Sequence, residues 1–192
     1  LYAWGYNGVG QLAQGGTDTT NRYRPVLMTG WAPAANNGIK KWQAINVGVN
    51  ASFMILDGNG YLWHVGADPN GHAGFAAATT RYALTKSTVT PGGSIADFFV
   101  VWSGDTAALQ ATFLRHTNGT TYVCGYASNQ NNVHGTTGAV TAILGPTLLS
   151  TVLGAGVGIV NLREVYLHMA VTYNSYYNRT IHFLTDSGKV FA

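Results

Sequence analysis

Residues 53–75 read FMILDGNGYLWHVGADPNGHAGF: an apolar run, a polar turn with glycine, a short run bearing an aromatic, another glycine, then a loop of small residues. The same order recurs along the chain. Residues 1–16 read LYAWGYNGVGQLAQGG, residues 113–135 read FLRHTNGTTYVCGYASNQNNVHG, and residues 181–192 read IHFLTDSGKVFA. Tyr2, Trp63, Tyr122 and Phe191 hold one position in this pattern, at intervals of 61, 59 and 69 residues. Gly5, Gly66 and Gly125 each follow their aromatic by three. Further on, Gly10-Gln11-Leu12 answers to Gly71-His72-Ala73 and to Asn131-Asn132-Val133. Arg22-Tyr23 answers to Arg81-Tyr82, and Pro25-Val26-Leu27 to Pro146-Thr147-Leu148.

A period near 60 with several short strands per unit is the signature of a propeller or solenoid. The first unit carries strand-like runs at 1–4, 25–29, 42–47 and 52–56. They are short, β-rich and bounded by Gly, Asn and Asp. Asp57-Gly58-Asn59-Gly60 and Asn118-Gly119 are hairpin-turn sequences, because Gly and Asn accept positive φ at little cost. A second strand-bearing element precedes each turn, at 42–56, 96–114 and 163–184; the third is the longest and accounts for the 69-residue interval. Helical periodicity is absent, apart from one expected turn over Ala76–Thr80.

Tyr2, Trp4-Gly5, Asn7, Gly8 and Gly10-Gln11-Leu12, with Leu56-Asp57-Gly58 and Leu62-Trp63, resemble the repeat of the RCC1 (regulator of chromosome condensation) family. Ala13 stands where that repeat carries Gly, and the second and third copies are degenerate in the loop. The resemblance implies an all-β fold: a β-propeller, usually of seven four-stranded blades, each blade mixing strands from two adjacent sequence repeats. The repeats here run over about 1–61, 62–120 and 121–189, and 190–192 begins another. About three repeats do not close such a ring, so the expectation is part of a larger propeller, or closure by assembly. Leu1 then reads as an internal position of a longer or processed chain.

Charged residues make up only 9% of the chain, against roughly 25% in an average soluble domain. A single glutamate, Glu164, is present. Asn, Gly, Thr, Ser and Tyr supply the polarity, which suits an extracellular or virion protein. The net charge of +3 includes no basic run beyond Lys40-Lys41. A nucleic-acid surface needs a basic stripe, so no nucleic-acid partner is expected. Cys124 alone cannot build a disulfide framework or a cysteine metal site. The most apolar stretch, 141–160, is broken by Gly145, Pro146, Gly154, Gly156 and Gly158, so no membrane insertion is expected.

The recurring glycines read as architecture, because tight turns and close packing at each blade require them. Gly5, Gly8 and Gly10 do not form a dinucleotide fingerprint, and no Gly-Lys-Ser/Thr occurs. The structural motif is therefore Trp4, Gly5, Gly8, Gly10, Gln11, Trp63, Gly66, Gly71, Tyr122 and Gly125, with Trp4, Trp63, Phe53, Phe113 and Phe183 as blade core. His72 and His134 occupy comparable loops and form a candidate partner-binding pair, whereas His64 and His182 fall in strand runs at a core edge or surface. Tyr173, Asn174, Tyr176 and Tyr177 crowd TYNSYYN, where the third repeat carries its extra length. Tyr and Asn on a loop make a recognition surface; an inter-blade packing insert is the alternative. There is no Gly-x-Ser-x-Gly elbow, and no acidic pair recurs. Asp57 and Asp186 are turn formers by position; Asp18, Asp68, Asp97 and Asp105 scatter through loops.

These features lead to the expectation of a non-catalytic recognition or structural module, with no metal and no cofactor. The low charge and degenerate repeats resemble RCC1-like domains of phage tail and fibre proteins, or of secreted bacterial proteins. That implies host attachment or virion architecture, with a protein, a cell-surface glycan, further blades or other virion subunits as partners. The family's best-known activity implies an alternative, guanine-nucleotide exchange on a small GTPase. A third is a secreted propeller that binds and inhibits an enzyme.

Overall fold

The computed structural model describes residues 1–47, 50–69, 71–87, 94–102, 109–127, 142–153, 159, 161–170 and 178–191. Among them, strands dominate and form four antiparallel sheets. β1 (Tyr2–Gly5) pairs with β2 (Arg22–Leu27). β3 (Ile39–Val47), β4 (Asn50–Asp57), β5 (Leu62–Gly66) and β6 (Arg81–Lys86) form a four-stranded meander. β7 (Ile95–Trp102), β8 (Leu109–His116), β9 (Thr121–Ala127) and β10 (Ile143–Leu148) form a second. α1 (Leu149–Leu153) follows, and β11 (Leu162–Ala170), β12 (Asn178–Thr185) and β13 (Val190–Phe191) make the last sheet.

The two complete sheets are propeller blades. A unit counted from the recurring aromatic begins at the third strand of one sheet and ends at the second strand of the next. Tyr2 pairs with Leu27, Trp63 with Lys86 and Tyr122 with Leu148, so these three aromatics share one place on a third strand. Phe191 lies opposite Phe183 as Trp63 lies opposite Ile55. Among the described residues, the first sheet thus holds third and fourth strands, and the last holds first and second strands with two residues of a third.

One turn geometry closes each second-to-third-strand hairpin. The amides of Asp57, His116 and Thr185 bond to the carbonyls of Tyr61, Thr120 and Lys189, and the amides of Gly60, Gly119 and Gly188 return to the first carbonyl of the turn. The three glycines have φ of +80°, +83° and +76°, a left-handed position that Gly adopts without steric cost. Each turn then grips the connector entering its own blade: Gly58 N–H bonds Asn36 and Gly38 C=O, Thr117 N–H bonds Ser94 C=O, and Asp186 N–H bonds Asn161 C=O. Gly60 and Gly119 accept from Ile95 and Asn161 of the following blade, which ties neighbouring blades together by backbone.

The apolar core lies between sheets. Alternation along β4 sends Ile55, with half-buried Phe53, toward Met28, Val65 and Leu84. Met54 and Leu56 go the other way, toward Phe98, Val100 and Leu114. Phe113 meets Phe183 edge to face at 5.1 Å across the next interface. Trp4 is 62% exposed, on a side of the β1–β2 sheet that faces no other described sheet. Ala76–Thr80 forms no helical turn, and Ala76 has φ of +59°. The helix that does occur, α1, is anchored by Leu149 in the core between the last two sheets, a tertiary cause without periodicity in sequence.

Candidate recognition face

The loops that follow β1 and β5 emerge from the same end of their sheets and are built alike. Gly5, Gly66 and Gly125 sit at irregularities in strand pairing, with φ of +108°, +97° and +114°. A Cβ on Gly66 would strike the Ala51 carbonyl, and one on Gly125 the Gln110 carbonyl. Two residues beyond each of the first two glycines lies a buried polar hub, Asn7 or Asp68. Asn7 Oδ1 accepts the Leu12 amide at 2.9 Å, and Nδ2 donates to Asp18 C=O at 2.8 Å. Asp68 Oδ1 accepts the Ala73 amide at 3.2 Å, and Oδ2 accepts Arg81 Nη1 at 3.0 Å. Arg22 and Arg81 match as well: each Nη1 donates to the carbonyl two residues before it, Thr20 and Thr79. Arg22 also pairs with Asp18, and Arg81 lies 3.8 Å from the centre of the Phe75 ring.

Loop-to-loop contacts repeat across blades. Gly15 N–H bonds Tyr82 C=O, and Ala76 N–H bonds Leu144 C=O. Gly10 leaves room for the Tyr82 ring, and Gly71 for Leu144, whose Cα would lie 2.8 Å from an added Cβ. Gly8 accommodates the side chain of Tyr6, itself exposed. Gln11 Oε1 accepts the Val9 amide at 3.1 Å.

His72 is not on the partner-facing surface. It is 0% exposed and takes the place of Gln11 one blade on. Its Nε2 lies 3.2 Å from Ser52 Oγ, and its Nδ1 stands 3.0 Å from Asp68 Oδ1. Serine, histidine and aspartate in that order are the groups of a nucleophilic triad. Here they are buried: Ser52 shares the β4 face of Met54 and Leu56, against the next blade, is paired in the ladder on both sides, and also borders a cavity of about 410 Å³ beside β1. The His72 carbonyl accepts Cys124 Sγ at 3.3 Å from that blade. The cluster therefore brackets the loop from beneath. His64, expected at an edge, is buried beside His72 at 5.4 Å between ring centres, and burial pushes its pKa down to about 3. Burial works to raise the Asp68 pKa, but the His72 hydrogen bond, the neighbouring His72 and His64 rings and the Ala73 amide outweigh it and leave it lowered. Burial pushes the Cys124 thiol up, so it is a poor nucleophile at neutral pH.

Asp68 and Arg81 belong to this face although sequence reasoning left Asp68 among scattered loop acids. The signal was the offset of two from Gly66, shared with Asn7 and Gly5. Trp63 fills its expected core place, edge to face with Trp31 at 5.4 Å, and Tyr122 packs on the interface containing Phe98. Tyr173, Asn174, Tyr176, Tyr177 and His134 lie outside the described residues.

The chain resembles a set of solved propellers. It aligns over 99% of its length with human WBSCR16, at 16% identity and a TM-score of 0.59, covering 41% of that chain. It aligns over 99% with Prp20p of Saccharomyces cerevisiae, a structure described with its binding properties to Gsp1p and histones, at 18% identity and 0.57, covering 40%. A chain of the structure of Kap60 bound to yeast RCC1 (Prp20) matches over 98%, at 14% and 0.56, covering 38%. The fold is that of an RCC1-like β-propeller. This chain spans about two fifths of the propeller chains it matches. No protein-family description and no curated protein matches its sequence. The RCC1-like fold accounts for the repeated turn, the loop glycines and the sharing of each sequence unit between two blades.

Proposed function

We propose that this RCC1-like segment is a non-catalytic recognition module that binds a protein through the loops after its third strands. The observation that carries this reading is the rigid support of those loops. Asn7 and Asp68 hold them from below with buried hydrogen bonds, while Tyr6 stands exposed above. Pre-ordered loops lose little entropy on binding, and a rigid aromatic gives contact area cheaply. The acid, base and hydroxyl groups gathered beneath are used in packing, which supports binding rather than turnover. With 9% charged residues, a partner would be recognised by shape, aromatic contact and neutral hydrogen bonds.

The finer reading is a virion tail or fibre component, outside the cell, engaged in attachment or architecture, with a surface glycan as a further ligand; composition is its support. Purification of the protein from its source tests both levels. A stoichiometric partner recovered with the native protein and lost with Tyr6→Ala supports the recognition face. Recovery in purified particles supports the virion role, and absence from them removes it.

Likeness to Prp20 motivates a second reading, nucleotide exchange on a small GTPase. Its test is release of labelled guanine nucleotide from a panel of such GTPases with and without the protein. No acceleration on any of them sets it aside.

A further inference from the structure

At the end of the sheets away from the recognition loops, a cleft opens between the two complete blades. Its volume is about 340 Å³, and Lys40, Lys41, Leu56, Ala96, Asp97 and Arg115 line it. Asp97 and Arg115 stand directly opposite each other in the β7–β8 ladder. Opposite charges at such a position attract and ordinarily pair. Here they form no ion pair with each other. Asp97 turns to the preceding blade, where its Oδ1 accepts Lys41 Nζ at 2.8 Å. Arg115 turns to the following sheet, where its Nη1 meets Asp186 Oδ2 at 3.3 Å.

Holding the two side chains apart leaves unused polar atoms on both. Arg115 Nε is buried without a hydrogen-bond partner among the described residues, and Nη2 has none there either. Nε and Nη2 form the planar edge with which a guanidinium grips a carboxylate through two parallel bonds. A buried donor left unpaired costs free energy, so an acceptor oxygen at that edge is favoured. On the acid, Oδ1 also takes the Phe98 amide at 2.8 Å, while Oδ2 has no hydrogen-bond partner among the described residues. Lys40 is exposed at the cleft and has no ion-pair partner among them. One cleft therefore offers a fork for an oxyanion, a second cation beside it, and a carboxylate oxygen that needs a donor.

We propose that this cleft binds an acidic sugar. The sugar carboxylate sits on the Nε–Nη2 edge of Arg115 with Lys40 beside it, and a ring hydroxyl donates to Asp97 Oδ2. An acidic peptide side chain would satisfy Arg115 but bring its charge toward Asp97 with no hydroxyl to offer. A neutral sugar would serve Asp97 and leave the Arg115 edge unpaired. A uronic acid carries both groups on one rigid ring, so little entropy is lost in presenting them together. The site deepens the reading of a glycan ligand and rests on it, but it lies away from the Tyr6 loops.

Calorimetric titration of the protein with trigalacturonate tests this. Trigalacturonate should bind with a Kd below about 1 mM. Its methyl ester, which keeps the hydroxyls and loses the charge, should not bind. Arg115→Lys keeps the charge and removes the fork, so it should weaken binding at least about tenfold with an unchanged circular-dichroism spectrum. Arg163→Gln removes an exposed cation at the same end but outside the cleft, and should change little. In the unaltered protein the Arg115 Nε–H magnetic-resonance signal should shift on saturation, a readout that needs no variant. Binding unchanged by Arg115→Lys, with that signal unmoved, overturns the proposal. Equal affinity for hexaglutamate or inorganic phosphate also overturns it, since charge alone would then be the determinant. Methyl ester bound as tightly as the acid, and lost with Tyr6→Ala, moves the sugar to the loop face and overturns this site alone. No binding of either saccharide overturns the site and the glycan reading together.

Discussion

Single buried polar residues carry much of the local geometry, and their removal has calculable consequences. Asp57 is buried, and its carboxylate accepts the amides of Asn59 and Tyr61 at 3.0 and 2.8 Å and the Trp63 indole N–H at 2.8 Å. Asp57→Ala leaves three donors without that acceptor and should cost about 2–4 kcal/mol, read as a lowered urea midpoint at pH 7. Its role as a turn former was legible in sequence, because Asp-Gly-Asn-Gly between apolar runs has few other uses. His64 was not legible: a strand run does not say which face is sealed. Its folded pKa of about 3 lies below the unfolded value of 6.5. The stability it contributes is thus fully present above pH 6.5 and falls as pH drops toward 3, by up to roughly 1.4 kcal/mol per pH unit. Urea titrations between pH 7 and 4.5 should show a steeper loss for the native chain than for His64→Leu. Equal slopes would mean the ring is not the titrating group.

At the level of elements, one hairpin turn and one loop plan are used repeatedly with different side chains. The turn backbone is the same in DGNG, HTNG and TDSG, since the left-handed glycine and the returning amide set it, while the first side chain varies. Repetition also marks the positions where a repeat departs from its own rule. Ala76 occupies the place of Gly15, at φ of +59° against +84°, and it is exposed. Ala76→Gly should relieve left-handed strain and raise stability by about 0.5–1 kcal/mol, seen as a Tm increase of a few degrees. The reverse change at Gly66 meets both a positive φ and the Ala51 carbonyl. Gly66→Ala should therefore destabilise by more than about 2 kcal/mol, measured by the same thermal scan. The aromatic and glycine spacing revealed both elements in sequence. The Asp68–Arg81 clasp needed the structure, because Asn7 and Asp68 share a position without sharing a residue type.

The described sheets pack on one another in chain order, so stability is transmitted blade to blade. Phe113→Ala removes a fully buried ring from the interface with Phe183 and should cost about 3–5 kcal/mol. Hydrogen exchange should then show protection lost first in β11 and β12, with β4 and β5 retained; uniform loss would mean the row unfolds as one unit. The sequence alone determined the all-β class, the period, the position shared by Tyr2, Trp63, Tyr122 and Phe191, and the turns, because each follows from local backbone preference repeated at a fixed interval. Tertiary structure decided which faces are sealed. It moved His72 from a binding loop into a buried bracket with Ser52 and Asp68, and it buried His64 beside it. Burial depends on what the neighbouring sheet supplies, and a strand's own residues carry no record of which side chains that neighbour brings.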